Sequence, residues 1–134
     1  MKKISFVLAF CLLLNCTTKS QSCKDLPDKF NSYSQAINAI QESSFEYTDR
    51  LPYGKSSWIT SANYYSCDSY YGYLVYTTNK GREYIHEKVP KRVWIEFKIA
   101  SSSGSYYVSN IKGRYRLVPD WYLLLFYWAG ENRH

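Results

Sequence analysis

Residues 58–89 read WITSANYYSCDSYYGYLVYTTNKGREYIHEKV, and this stretch decides the fold. Aromatic and β-branched side chains crowd Trp58 to Tyr65, Tyr73 to Thr78 and Arg82 to Val89, a composition suited to a pleated, half-buried surface. Turn signals separate the three runs. Asp68 to Gly72 forms one, and Asn79-Lys80-Gly81 forms the other, with Gly81 supplying the positive φ of a tight hairpin. An antiparallel meander follows. Its middle strand is apolar on both faces at Tyr73-Leu74-Val75-Tyr76, so it should lie centrally. On the third strand, Tyr84 and His86 fall on one face, with Ile85 and Val89 on the other.

Beyond the meander the period changes. Pro90 suits the first position of a helix, and Val93, Trp94, Phe97 and Ala100 recur on one stripe that Ile95 and Ile99 widen. Lys91, Arg92, Glu96 and Lys98 take the wet side. Ser101 to Gly104 ends the helix, with Gly104 as a left-handed cap, and Tyr106 to Leu117 returns to extended or irregular chain. Before the meander, Ser32-x-x-Gln35 has the form of a capping box, and Tyr33, Ala36, Ile37 and Ile40 share one face of a short helix. Pro52 and Gly54 mark Asp49 to Ser57 as a loop. The expected fold is α+β: a small antiparallel β-meander of three to four strands packed against one or two helices.

The chain's 134 residues suffice for one such core. Three of its cations, Lys2, Lys3 and Lys19, lie in the first twenty residues without an acid, so the formal charge of +6 falls to +3 beyond them. That balance is weak support for a polyanion partner. Tyrosine is abundant, at 15 residues, and supplies stiff contact area with a polar tip, useful in cores and on binding surfaces alike.

Lys2 and Lys3 precede an apolar run from Ile4 to Leu14, the layout of an export signal and too short for a spanning helix. Two processing routes stay open. Thr18-Lys19-Ser20 offers a cleavage site after residue 20, whereas Leu13-Leu14-Asn15-Cys16 resembles a loose lipoprotein box in which the signal ends at residue 15 and Cys16 is acylated. The expected location is secreted, periplasmic or anchored at the outer surface. Cys23 and Cys67 remain in either case, and in an oxidising compartment such a pair reads as a disulfide. It would close a loop of about 44 residues and stabilise by roughly 4 kcal/mol. The organisation is therefore a signal over 1–20, a helical lead-in over 21–55, the core domain over 56–117 and a hydrophobic tail over 118–134.

The same residues resemble the KTSC domain, a family named for its occurrence at the carboxyl end of some lysyl-tRNA synthetases. The likeness runs through Ser56-Ser57-x-Ile59, Ala62-x-Tyr64, Gly72-x-Leu74-x-Tyr76 and Gly81-x-x-Tyr84-x-His86. It continues in Val89-Pro90, Phe97-x-x-Ala100-Ser101-x-x-Gly104, Tyr106-Tyr107 and Ile111-Lys112-Gly113-x-Tyr115. His86 stands where the family has a second tyrosine, and the tail after Leu117 is additional. What the resemblance implies is mainly a fold. It also implies RNA binding, suggested for the family, although an exported chain would rarely meet tRNA.

His86 is the histidine within the domain, and strand alternation puts Glu83 and Glu87 on the opposite face, so no acid–base pair forms; a core-edge role fits it better. No nucleophile elbow, phosphate loop or zinc spacing occurs, so neither an enzyme nor a cofactor is expected. Lys112, Arg114 and Arg116 alternate and, if extended, would form a cationic row at about 6–7 Å spacing. Tyr106, Tyr107, Tyr115, Tyr84 and His86 lie near it as aromatic platforms, a combination suited to anionic polymers. A charged edge strand defended against aggregation reads the same way. The tail from Trp121 to Trp128 carries no charge and is either a last buried strand or a segment for a partner or lipid surface. The expected function is an exported, non-enzymatic module binding a protein or glycan partner of anionic character. Nucleic-acid binding is the alternative, and membrane attachment would come only through lipidation or the tail.

Overall fold

The structure, a computed structural model, describes residues 20–120. The expected export signal, the alternative acylation at Cys16 and the Trp121–Trp128 stretch lie outside the described residues. Six strands and three helices follow in order: β1 (Gln21–Ser22), α1 (Tyr33–Glu42), β2 (Ser43–Ser44), β3 (Tyr47–Arg50), β4 (Ile59–Ser66), β5 (Tyr71–Thr78), β6 (Glu83–Pro90), α2 (Lys91–Ile99) and α3 (Ser103–Asn110). The expected meander is β4–β5–β6, and β3 adds a fourth antiparallel strand outside β4. β1 and β2 form a separate two-residue parallel pair.

The sheet is covered on both faces. On one, Ile59, Ala62, Tyr64, Leu74, Tyr76 and Val89 meet Val93, Trp94, Phe97, Tyr107 and Ile111 from the α2–α3 side. On the other, Val75 and Ile85 meet Phe30, Ala36, Ile40 and Val118, with Tyr65 and Tyr73 packed against them. Two apolar layers explain why the middle strand has no wet side. They also use the tyrosines: most are core or half-buried, and Tyr64 lies flat on Trp94 with centroids 5.4 Å apart.

Two irregularities correct the simple alternation. Between the pairs Gly72↔Val89 and Leu74↔His86, β6 spends three residues against two of β5. The extra residue is accommodated where Lys88 takes φ 52, a bulge that re-aims the strand. Val89 consequently joins the α2 face and not the Ile85 face. A second bulge between Ile59 and Ser61 turns Ile59 and Ala62 toward the same layer despite their odd spacing.

Ser32 caps α1 as expected, its hydroxyl accepting from the Gln35 amide at 3.3 Å, and Gly81 takes φ 74 in the hairpin. Cys23 and Cys67 form the disulfide, with Cα atoms 5.8 Å apart, joining the segment after β1 to the end of β4. Asp49, expected in a loop, lies in β3. Its carboxylate accepts from Trp94 Nε1 at 2.9 Å, Lys98 Nζ at 2.8 Å and Tyr47 hydroxyl at 3.1 Å, tying the edge strand to α2.

Three expectations at the carboxyl side fail. Residues 103–110 are helical, not extended: Ser102 caps the turn by accepting from the Ser105 amide at 3.2 Å, and burial of Tyr107 and Ile111 overrides a sequence poor in helix formers. Gly104 is not a left-handed cap; it sits within α3 under Trp58, where an added Cβ would strike the indole and stand 2.7 Å from Ser56 Oγ. Ile95 and Ile99 do not widen the buried stripe of α2 but face outward, Ile99 at 70% exposure. Val93, Trp94 and Phe97 fill the buried arc of α2, and Ile95 and Ile99, each two residues from Phe97, fall on its far side.

Candidate functional site

β6 brings His86 to the α3 side of the sheet, where the residue is 2% exposed. Its Nδ1 stands 3.0 Å from the Tyr115 carbonyl, which only accepts, so Nδ1 carries the proton and Nε2 is the acceptor. Tyr107 hydroxyl donates to Nε2 at 2.9 Å and accepts from Tyr76 hydroxyl at 2.7 Å. The result is a directed chain from Tyr76 through Tyr107 and His86 to the Tyr115 backbone. Burial lowers the His86 pKa, outweighing the opposing bond to Tyr115, and burial likewise raises those of Tyr76 and Tyr107. Tyr84 stacks on Tyr76 at 5.3 Å and Trp58 meets Tyr107 edge-on at 5.5 Å. A general base has to reach a substrate proton. This imidazole has both nitrogens engaged beneath a closed aromatic lid, and what it does is order the core.

The cationic row does not form. Residues 111–114 are a turn closed by bonds from the Lys112 amide to the Tyr107 carbonyl, 2.9 Å, and from the Arg114 amide to the Ile111 carbonyl, 3.0 Å. Gly113 sits there at φ 75, and alternation of side chains onto one face belongs only to extended chain. Lys112 and Arg114 are exposed, but Arg116 points elsewhere. Its guanidinium pairs with Glu87 and donates to the Phe30 carbonyl at 3.0 Å. Tyr107 is in the core, and Tyr106, half-buried, donates to Glu96 at 2.6 Å. Of the residues selected as a binding face, Tyr76's neighbours Tyr84, His86 and Tyr107 are gathered with the Tyr115 backbone as core. Arg114, Tyr115 and Arg116 line one small pocket with Glu87 and Lys88, and Lys112 is not part of it.

A different surface is assembled by folding. The β4–β5 turn and the start of α2 frame a groove lined by Tyr70, Tyr71, Pro90 and Ile95, whose aromatic and aliphatic members are 74%, 57% and 42% exposed in the order Tyr70, Tyr71, Ile95. Lys91 and Arg92 stand on its border with Glu96. Lys91 lies over the Tyr47 ring at 3.8 Å, and Glu96 is engaged by Tyr106, which leaves Arg92 as the most available charge. Asp68 shapes the turn, its Oδ1 accepting from the amides of Tyr70 and Tyr71 at 2.8 and 2.9 Å. Those contacts hold Asp68 below the usual carboxylate range. The sequence signal for this groove was Ile95 itself, an apolar residue off the buried stripe. Among the described residues, no group of three His, Cys, Asp or Glu side chains is placed to hold a metal ion.

Comparison with known proteins agrees with the sequence resemblance. No curated protein matches. Among solved structures, a KTSC domain protein from Yersinia pestis is 28% identical, covering 53% of this chain and 94% of that chain, with a TM-score of 0.45. The family model of the KTSC domain matches residues 55–115. That span, a little under half of the chain, holds β4 to β6, α2 and α3, so the likeness to the KTSC domain lies in the meander and the two helices that follow it.

Proposed function

We propose that this chain is an exported, non-enzymatic interaction module that docks an acidic, apolar segment of a partner protein at the Tyr70–Tyr71–Ile95 groove. The observation that carries this is the exposure of three large apolar side chains side by side beside Lys91 and Arg92. Contiguous apolar surface with a charged rim is the form of an interaction site, and tyrosine is favoured in such places because few rotors are frozen on binding. The two cations favour an anionic partner and should raise its association rate at low salt. Export is supported by the Ile4–Leu14 apolar run and by the Cys23–Cys67 bond. A non-enzymatic role is supported by the enclosure of His86. The nucleic-acid alternative loses the row on which it rested, since Arg116 is committed to Glu87.

The test is affinity capture from cell envelope and culture medium with the wild-type protein and a Tyr70→Ser/Ile95→Ser double variant. A partner retained by the wild type, weakened by salt and lost by a variant of unchanged melting temperature is the expected result. Equal retention by both forms, or retention only of RNA, refutes the assignment. Fractionation with and without Cys16→Ser reports export and anchoring separately.

A further inference from the structure

The segment that follows β1 crosses the sheet face opposite α2 and α3 and closes one side of a cavity of about 410 Å³. It is pinned at two points. The Cys23–Cys67 bond holds one end. Phe30 holds the other: its amide donates to Glu87 Oε1 at 2.7 Å, and its carbonyl accepts from Arg116 at 3.0 Å. A cavity roofed by so anchored a strap is pre-formed, as small-molecule sites usually are.

Its lining is of two kinds. Tyr65 and Tyr73 present rings, backed by Phe45 with centroids 5.4 and 6.2 Å away and by Phe30 at 5.8 Å from Tyr73. Charges of both signs surround them. Glu87 is engaged at both oxygens by Phe30 and Arg116, and Asp68 spends Oδ1 on the turn amides, whereas no hydrogen bond or ion pair from the described residues occupies the exposed Asp28. Burial first, then the charges of Glu87 and Asp28, push the Tyr73 phenol up to about 12, so it stays a protonated hydroxyl. Lys24 and Lys88 line the same cavity and are exposed, Lys88 being set there by the bulge in β6.

We propose that this cavity binds a small zwitterion with an apolar side group, the chemistry of an α-amino acid. The ammonium meets Asp28 and the Tyr73 hydroxyl, the carboxylate meets Lys24 and Lys88, and the side group lies on the Tyr65 and Tyr73 rings. Asp28, Lys24 and Lys88 are exposed around the aromatic floor, and a guest that carries both charges is attracted by both signs at once, where a simple anion or an apolar guest is not. This site borders the Tyr70–Ile95 groove at Tyr71, which lines both, but it uses none of Tyr70, Ile95, Lys91 or Arg92.

Calorimetric titration of the whole protein with phenylalanine, its amide and its N-acetyl derivative tests the assignment. Binding of phenylalanine is expected, weakened about tenfold or more in each derivative, since each lacks one charge. Asp28→Asn and Lys88→Gln, both exposed positions whose variants should keep the wild-type melting temperature, should weaken it similarly, while Tyr70→Ser/Ile95→Ser should not. Failure of phenylalanine, leucine and tryptophan alike to bind overturns the inference. So does an N-acetyl derivative that binds as well as the parent, or binding indifferent to Asp28→Asn and Lys88→Gln.

Discussion

Replacing Asp49 with asparagine should remove the tie between the edge of the sheet and α2. Burial alone would raise this carboxyl's pKa, but donation from Lys98, Trp94, the Arg50 amide and Tyr47 outweighs it and holds the group at about 2, against an ordinary 3.8. At about 1.4 kcal/mol per unit, that depression corresponds to roughly 2 kcal/mol of differential stabilisation. The Asp49 side chain is 21% exposed and that of Lys98 34%, so solvent screening trims the expectation to about 1–2 kcal/mol. The folded pKa lies below the unfolded one. The contribution is therefore complete above pH 3.8 and is lost as pH falls through about 2. Urea unfolding of the disulfide-intact protein and of Asp49→Asn, at pH 7 and at intervals down to pH 2, should show a gap of that size that narrows with acid. In a domain of this length it amounts to a loss of roughly 4–8 °C in melting temperature for each kcal/mol. A gap at pH 7 below about 0.5 kcal/mol, or one that stays constant with pH, would refute the assignment of Asp49 as the charged link.

Two further outcomes rest on single side chains. His86 is held neutral by burial, its pKa below the ordinary 6.5, so the unfolded chain takes up the proton first and stability should fall as pH drops below 6.5. His86→Phe should be less stable at pH 7.5, leaving Tyr107 and the Tyr115 carbonyl short of a partner, but should lose the fall in stability that the wild type shows just below pH 6.5; an unchanged pH dependence assigns the titration elsewhere. Gly72→Ala should cost about 1–3 kcal/mol in denaturant midpoint measurements, because its Cβ would press on the Tyr65 carbonyl and stand 2.8 Å from Tyr64 Cζ, a ring fixed by its hydroxyl's 2.7 Å bond to the Val89 carbonyl. A neutral substitution there would show that the β4–β5 packing is looser than described.

The elements that appeared in the sequence are those whose period or turn chemistry is local. The Asn79-Lys80-Gly81 hairpin, the Ser32 cap and the Val93–Trp94–Phe97 stripe each depend on residues within one turn or one pair of strands. β3 was hidden because Tyr47–Arg50 is four residues long and flanks a loop with Pro52 and Gly54, too short to establish alternation. α3 was hidden for the opposite reason. Ser102-x-x-Ser105 is a capping pattern, and Tyr107 and Ile111 stand four apart, yet Tyr106, Tyr107 and Val108 carry strand propensity that only contact with His86 and Tyr76 overcomes. The misplaced cationic row follows from that error, since a helix and turn replace the extended chain it required.

Composition and pattern alone pointed to the α+β class, the meander and the pairing of Cys23 with Cys67, and put His86 at the edge of the core, where the structure encloses it fully. Each of these follows from local periodicity or from the elimination of alternatives. The tertiary structure decided which tyrosines face water, where Val89 and Arg116 point, and that Tyr70, Tyr71 and Ile95 share a groove. Those outcomes turn on a one-residue bulge and on contacts between segments tens of residues apart. A bulge flips every later side chain in its strand, and long-range contacts leave no period in the sequence from which to read them.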